Sequence, residues 1–327
     1  MGGSRGIGWR GVELFDTSFD EAAVPPRKRT SLIPGYIIGP RGAPAPLRQS
    51  QALTGDDMQT PGIISVITAA FNSGPLIDRA VNSLLAQDCP DWEMIVSPDD
   101  GADYTHLEAR DARIRVVRTS ESRTGPGSAR NRGLAAARGT WVATLDDDDL
   151  LDPSFIGAAR AALQTHPFVT ASTRYVGDGA HVVRTLGEGL DALTIPVFAR
   201  QFGSMHAIGR RDQHPQWHST FAQDILHTCE AIDRAGGSIP VIRGAAYQCM
   251  LRSGSTVTVR RDISEQYRGI IARLNDGIPA LSEKGRDETL VLFRRWMRIN
   301  DLYEARGDAS LGYHDFVQQL PADVLYA

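Results

Sequence analysis

Thr140-Trp-Val-Ala-Thr-Leu-Asp146-Asp147-Asp148-Asp149-Leu-Leu-Asp152-Pro153 is the stretch on which the reading of this chain turns. Trp141, Val142, Ala143 and Leu145 make a run of β-formers that reads as a buried strand. The strand ends in four consecutive acids, and Pro153 then opens a predicted helix that runs to Leu163. Carboxylates crowded at one strand end repel one another unless positive charge sits among them. A divalent cation with oxygen ligands relieves this, and Mg²⁺ typically takes one or two carboxylates plus phosphate oxygens. The alternative is a solvated acidic turn in which Asp152 caps the helix. The strand before the acids favours the cation.

Working outward, residues 63–68 (Ile-Ile-Ser-Val-Ile-Thr) read as a compact strand, followed by a loop at Ala69-Ala-Phe-Asn72. Ser73 or Gly74 is placed to cap a helix with Pro75 at its first position. Leu76, Ile77, Ala80, Val81, Leu84 and Leu85 recur at helical spacing through Gln87. Residues 93–96 are the next strand, ending in Ser97-Pro-Asp99-Asp100-Gly101-Ala-Asp103. Residues 113–117 are a third, and Gly125-Pro-Gly-Ser128 leads into a small-residue helix over 129–138. This alternation predicts a parallel α/β sheet with right-handed crossovers. Ligands of such sheets gather at the carboxyl ends of the strands. Thr68 to Asn72, Asp99 with Asp100, and Asp146 to Asp149 all sit at such ends, so one crevice is expected to collect them.

These residues resemble the inverting family 2 glycosyltransferases of the GT-A fold. Ser65 to Asn72 looks like that family's first strand and nucleotide-binding loop. Asp99-Asp100-Gly101 resembles its Asp-Asp-Gly-Ser element, and Gly125-Pro-Gly-Ser-Ala-Arg-Asn-Arg-Gly133 its basic loop-and-helix segment. Leu145 to Pro153 resembles its metal-binding Asp-X-Asp element. The likeness is close over residues 62–163 and looser to about 258.

The resemblance implies an α/β fold with a mostly parallel, Rossmann-like sheet flanked by helices, and a nucleoside diphosphate sugar, UDP-linked, as donor. It implies donor contacts from Thr68, Ala69, Ala70 and Asn72, with the Ala69 backbone and Asp100 holding the base and Asp99 beside it. Arg130 would lie near the nucleotide, where its forked donors suit phosphate or carboxylate. Asp146 and Asp147 complete the Asp-X-Asp set. Asp148 is the direct ligand to Mn²⁺ or Mg²⁺, and Asp146 faces the ribose or donor sugar and shares in the metal site.

Inversion needs a base for the acceptor's proton. The family places it in an acidic pair that opens a helix past the metal motif. Here Phe221-Ala-Gln-Asp224-Ile-Leu-His-Thr-Cys-Glu-Ala-Ile232 fits, with Gln223 replacing the first acid. Asp224 would sit at the helix N-terminus, which favours the ionised form that a base requires. Residues 239–243 and 246–255 resemble the next strand and a Tyr/Arg-rich segment ending in Gly-Ser. Many members carry a His there. This chain has Arg252, which puts a third protein ligand in doubt and gives the pyrophosphate a cationic contact instead.

His206, His214 and His218 invite a zinc reading, but no ligand motif such as HExxH accompanies them. A basic and aromatic stretch there would suit an acceptor, with Trp217 stacking on a sugar face. From about residue 260 the pattern is helical (265–274 and 287–305), and packing on the core is the default.

The chain has 327 residues, 42% hydrophobic and 23% charged, with a net charge of −4, so nothing draws it to nucleic acid. Cys89, Cys229 and Cys249 form no CxxC or zinc spacing and fit a reducing, cytoplasmic setting. No run of about 18 apolar residues is present to span a bilayer. Peripheral membrane contact and a homo-oligomer stay open. Residues 1–60 are a Pro/Gly/Arg-rich extension that buries too little to fold alone, with 32–38 a candidate strand. Gly2-Gly-Ser-Arg-Gly-Ile-Gly8 imitates a dinucleotide-binding turn but has no strand before it. The catalytic domain is expected over 61–258 (donor half 61–165, acceptor half 166–258) and a helical segment over 259–327. The acceptor remains a saccharide, a lipid-linked saccharide or a small molecule. The rival readings are a sugar-phosphate nucleotidyltransferase, which Thr68 to Asn72 disfavours for want of Gly and basic residues, and a non-catalytic binding protein of the same fold.

Overall fold

The computed structural model describes residues 60–252, 262–306 and 311–326, all within one compact unit. The extension up to residue 59, the candidate strand at 32–38 and the Gly254-Ser255 pair lie outside the described residues.

The sheet is built around β1 (Thr60–Ala70), with β2 (Trp92–Pro98) and β4 (Gly139–Thr144) parallel on either side and β3 (Ile114–Val116) beyond β2. Its order is β3-β2-β1-β4, then β9 (Ala207–Arg210), β6 (Phe168–Val176), β10 (Ile239–Met250) and β5 (Leu150–Leu151). The nearly continuous apolar run in β1, interrupted by the buried Ser65, reflects burial on both faces, as parallel sheets require. Ile64, Val66 and Ala70 pack into one core with α1 (Leu76–Leu85) and α3 (Phe155–Ala162). Ile67, with Ile95 and Val142, faces Leu134 of α2 (Pro126–Ala136) on the other side. Burying each of these isoleucine, leucine and valine side chains is worth about 1.5–3 kcal/mol. The small residues of α2 follow from contact: a Cβ on Gly133 would come 2.5 Å from Ile67 Cγ2.

The second half contains what the sequence did not announce. β9 (Ala207–Arg210) runs antiparallel between β4 and β6 (Phe168–Val176). It is four residues long and carries Gly209, whose Cβ would lie 2.0 Å from the Phe168 ring. A glycine in so short a strand removes the β signal while permitting that contact. β10 (Ile239–Met250) runs parallel to β6, and the two-residue β5 (Leu150–Leu151) pairs antiparallel with its far end. β7 (Val182–Leu186) pairs with β6, and β8 (Ala192–Leu193) with β10.

A second core joins these strands to α4 (Ile195–Phe198), α5 (Gln223–Arg234), α6 (Ile263–Asn275), α7 (Glu283–Ala305) and α8 (Tyr313–Gln319), with α9 (Ala322–Tyr326) after them. Trp296 of α7 is 3% exposed, and its indole N–H donates to the Ala199 carbonyl at 3.0 Å. The C-terminal helices therefore pack on the second half of the sheet, the expected default.

Asp152 does not cap α3 through its side chain, the role that the alternative reading of the acidic run gave it. Ser154 holds the cap position, and the Asp152 carboxylate instead pairs with Arg174 at 2.9 Å and accepts from Ala246 N and Gln248 Nε2 at 3.0 and 2.6 Å. Two bonds to β10 outcompete one local cap.

Glu93, on β2, ties that strand to β1, β3 and β4. It accepts from Ser65 Oγ (2.6 Å), Arg138 N (2.7 Å) and Gly139 N (3.2 Å), and pairs with Arg115 (2.8 Å). Burial works to raise its pKa, but the bonds from Ser65, Arg115 and Arg138 hold it below the ordinary 4.5. A depressed carboxylate stabilises the fold above its unfolded pKa and loses that contribution as pH falls through the folded value. Glu93→Gln is expected to cost about 1–3 kcal/mol at pH 7 and to weaken the acid dependence of stability below about pH 4.5. Urea titrations at pH 7 and pH 4 read both, and an unchanged pH slope would remove Glu93 from that role.

Candidate active site

A cleft of about 1450 Å³ opens at the carboxyl ends of β1, β2, β4, β6 and β10. Strand polarity brings these ends together, which is why residues far apart in the chain share it.

The loop after β1 contributes Ala69 and Phe71 to the lining. Thr68 and Ala70 are fully buried, and the Thr68 hydroxyl has no partner. Asn72 adopts φ 53°, and its N–H donates to Asp100 Oδ2 at 2.7 Å. Asp100 also accepts from Tyr104 Oη at 2.8 Å and Ala102 N at 2.9 Å. Its carboxylate thus braces the β1 loop. Burial would raise its pKa, and these donors hold it below the usual carboxylate range. Asp99, not Asp100, lines the cleft. It is 3% exposed and anchors the turn into α2, accepting from Thr124 N (3.0 Å), Thr124 Oγ1 (2.6 Å) and Gly125 N (2.8 Å) and pairing with Arg132 (2.9 Å). Phe71, absent from the sequence expectation, is 44% exposed at the mouth, with the Arg123 guanidinium 5.7 Å from its ring centroid. An exposed aromatic on a strand-end loop was the available signal.

The four aspartates do four different things. Asp146 pairs with Arg130, and its N–H donates to Tyr247 Oη at 3.0 Å. Burial opposes its charge, but Arg130 holds its carboxyl low. Arg130 is 4% exposed, and its Nε and one terminal nitrogen are buried with no hydrogen-bond partner. Asp147 accepts from Phe71 N at 3.0 Å and from Ser73 Oγ, clamping the β1 loop. Burial lifts its pKa to about 6, with Asp148 and Asp146 adding to the shift. Asp148 pairs with Arg252 at 2.5 Å, and burial and Asp146 raise its pKa. Asp149 is 4% exposed and accepts from Tyr247 Oη and Met250 N, both at 2.8 Å. It pins the end of β4 to β10. Burial and the neighbouring carboxylates push its pKa well up.

Asp224 stands in the first turn of α5 and lines the same cleft. Ser204 Oγ donates to its Oδ2 at 2.7 Å, and Ser204 N donates to Tyr175 Oη at 2.8 Å. His206 packs 4.8 Å from the Tyr247 ring and senses both Asp146 and Asp224. Burial lowers its pKa, and the two carboxylates oppose that. Ser204 escaped the sequence reading, and so did the partners of Asp149, His206 and Tyr247, because those partners lie far away in the chain.

Among the described residues no group of three His, Cys, Asp or Glu side chains is arranged to hold a metal. This excludes an all-protein cage there, including one from His206, His214 and His218. His214 instead meets His227 at 3.1 Å, and His218 meets Glu230 at 2.7 Å. The donor set of Asp146 and Asp148 does fit an oxygen-liking cation that takes its remaining ligands from phosphates and water. Trp217 corrects the sequence expectation: it is 3% exposed and stacks on His227 at 4.1 Å, so it offers no face to a sugar.

Residues 65–222 match the family described as "Glycosyl transferase family 2". Succinoglycan biosynthesis protein ExoO of Rhizobium meliloti is 42% identical over 93 residues, 28% of this chain and 26% of that protein. A putative teichuronic acid biosynthesis glycosyltransferase, TuaG of Bacillus subtilis, is 41% identical over 92 residues, 27% of this chain and 36% of that protein. UDP-Glc:alpha-D-GlcNAc-diphosphoundecaprenol beta-1,3-glucosyltransferase WfgD of Escherichia coli is 36% identical over 91 residues, 27% and 36% respectively. The chain thus spans about a quarter to a third of the length of these relatives. Residues 1–349 of S. aureus TarS, solved with UDP-GlcNAc, superpose with a TM-score of 0.57 at 24% identity, covering 72% of each chain. The architecture is the GT-A fold expected from the sequence.

Proposed function

We propose that this chain, which belongs to glycosyl transferase family 2 through its residues 65–222, transfers a sugar from a UDP-linked donor to an acceptor hydroxyl with inversion. The observation that carries this reading is the gathering of Asp146 to Asp149, Arg130 and Asp224 around one cleft. UDP is favoured because WfgD is named for a UDP-Glc donor and TarS was solved with UDP-GlcNAc.

Phe71 offers an exposed aromatic face at the cleft mouth, suited to a nucleobase. Arg130, with two buried nitrogens lacking partners, is suited to a phosphate oxygen. Asp146 and Asp148 would hold Mg²⁺ or Mn²⁺. That ion, when bound, would supply Lewis-acid neutralisation of charge on the departing diphosphate. Arg252, on Asp148 at 2.5 Å, is a second cation within reach of the same phosphates.

In the transfer step the acceptor oxygen attacks the anomeric carbon, and its proton passes to Asp224. A new carbon–oxygen bond forms as the bond to the diphosphate oxygen breaks, and the nucleoside diphosphate leaves. Ser204 fixes one oxygen of Asp224, so the carboxylate is aimed before substrate arrives.

Calorimetric titration with UDP, with and without Mn²⁺, tests the donor reading. Binding is expected to require or be strengthened by Mn²⁺, and Asp148→Asn is expected to weaken Mn²⁺ binding at least about tenfold, the loss that even an outer-shell partner can cause. Absence of UDP binding under all conditions would sink the nucleotide-sugar reading.

A further inference from the structure

Phe71, Asn72 and Ser73 lie in the loop between β1 and α1, and their successive N–H groups are each taken by a side chain from elsewhere in the sheet. Phe71 N–H donates to Asp147 Oδ2 at 3.0 Å, Asn72 N–H to Asp100 Oδ2 at 2.7 Å, and Ser73 N–H to Tyr104 Oη at 3.3 Å. Hydroxyls close the set from behind. Ser73 Oγ donates to the same Asp147 oxygen, and Tyr104 Oη, with a single proton to give, donates to Asp100 at 2.8 Å. Asp147 follows β4 and Asp100 follows β2, so the loop is held from both strands that flank β1.

Local chain chemistry does not favour this arrangement. Asn72 has φ 53°, a left-handed conformation that costs energy for a residue with a Cβ and persists where its surroundings impose it. Ser73 is the residue type that caps a helix, yet Pro75 holds the cap position of α1 and the Ser73 hydroxyl turns to Asp147. Ser73 is 3% exposed and Tyr104 5%, and neither is among the residues that line the cleft. What they support there is Phe71, exposed at the mouth. A flat ring stacks more tightly on an aromatic whose backbone is already fixed, because less freedom is lost on binding.

We propose that Ser73 and Tyr104 are positioning residues for the donor's nucleobase: from behind the loop, through Asp147 and Asp100, they hold the Phe71 ring where the base stacks on it. This rests on the UDP-linked donor reading above. It gives the second acid of the run a part in base recognition, with Asp146 and Asp148 left to the metal.

The test is calorimetry on the full chain with UDP and with inorganic pyrophosphate, each in the presence of Mn²⁺. Phe71→Ala sets the scale. It is expected to weaken UDP binding about tenfold or more and to leave pyrophosphate binding within about twofold of wild type. Tyr104→Phe and Ser73→Ala each remove a hydroxyl and little volume. Each is expected to raise the UDP Kd about fivefold, the loss of one hydrogen bond in the network, with pyrophosphate again within about twofold. In the Phe71→Ala background the same substitutions are expected to change UDP affinity less than about twofold, because their effect passes through the ring. A residue that only stabilised the fold would weaken both probes alike, or would add its full effect to that of Phe71→Ala. Either result overturns the proposal, and so does wild-type UDP affinity in both hydroxyl variants. Failure of the unsubstituted chain to bind UDP is a separate outcome, which removes the nucleotide-sugar reading and this role with it.

Discussion

Asp224→Asn is expected to lower the transfer rate by about two to four orders of magnitude, the usual contribution of a positioned base. The substitution keeps the shape of the side chain and an oxygen to accept from Ser204, so the local geometry should persist. What it removes is the ability to take the acceptor's proton. Because Arg130 pairs with Asp146 and Arg252 with Asp148, while Asp224 is bonded to Ser204, UDP affinity should remain within a few-fold of wild type. The measurement is a steady-state rate on a transfer-competent acceptor together with UDP calorimetry. A rate within tenfold of wild type, with UDP binding intact, would remove Asp224 as the base. Ser204→Ala should give a smaller fall, since it only frees a carboxylate that remains ionisable.

Arg130→Met carries the largest expected loss of stability, about 3–5 kcal/mol, the range for removing one partner of a buried ion pair. Arg130 is almost wholly buried, and its charge is held there by Asp146 and then Asp224 against the cost of burial. Methionine fills much of the volume but leaves Asp146 among Asp147, Asp148 and Asp149 with its cation gone. Urea unfolding gives the number. The double variant Arg130→Met with Asp146→Asn should recover part of the loss, because the two side chains act as a pair. If the two losses simply add, the pair is not the source of the effect. UDP affinity should also drop in Arg130→Met, since the buried nitrogens suited to phosphate go with the guanidinium.

The donor half was legible because its signals are local. A both-face buried strand shows as a nearly continuous apolar run at β1, and an amphipathic helix shows as the spacing of Ile77, Ala80, Val81 and Leu84. A strand ending in charge shows as Trp141 to Leu145 followed by four acids. Polarity rules for parallel sheets then send those strand ends to one side. That was enough to gather Ala69, Asp99 and Asp146 to Asp149 at one cleft, while Arg130, Asp224 and Arg252 were reached through the resemblance to the family.

What each acid does there depended on partners the sequence does not pair. Asp149 and Tyr247 are 98 positions apart, and Asp147 and Ser73 are 74 apart. Four identical side chains in a row carry no local mark of which one will cap a loop, pin a strand or meet an arginine. Burial and distant donors decide that, and they shift the four carboxyls in different directions. The same holds for β9, where Gly209 is chosen by the Phe168 ring across the sheet and not by strand propensity. Trp217 shows the converse: a sequence that looked like a sugar platform became a core stack, because His227 from α5 offered it a buried partner. The sequence alone determined the strands of the donor half, their polarity and the chemistry collected at their ends. Tertiary packing decided the division of labour among those groups, because it arises from contacts between residues that no local pattern links.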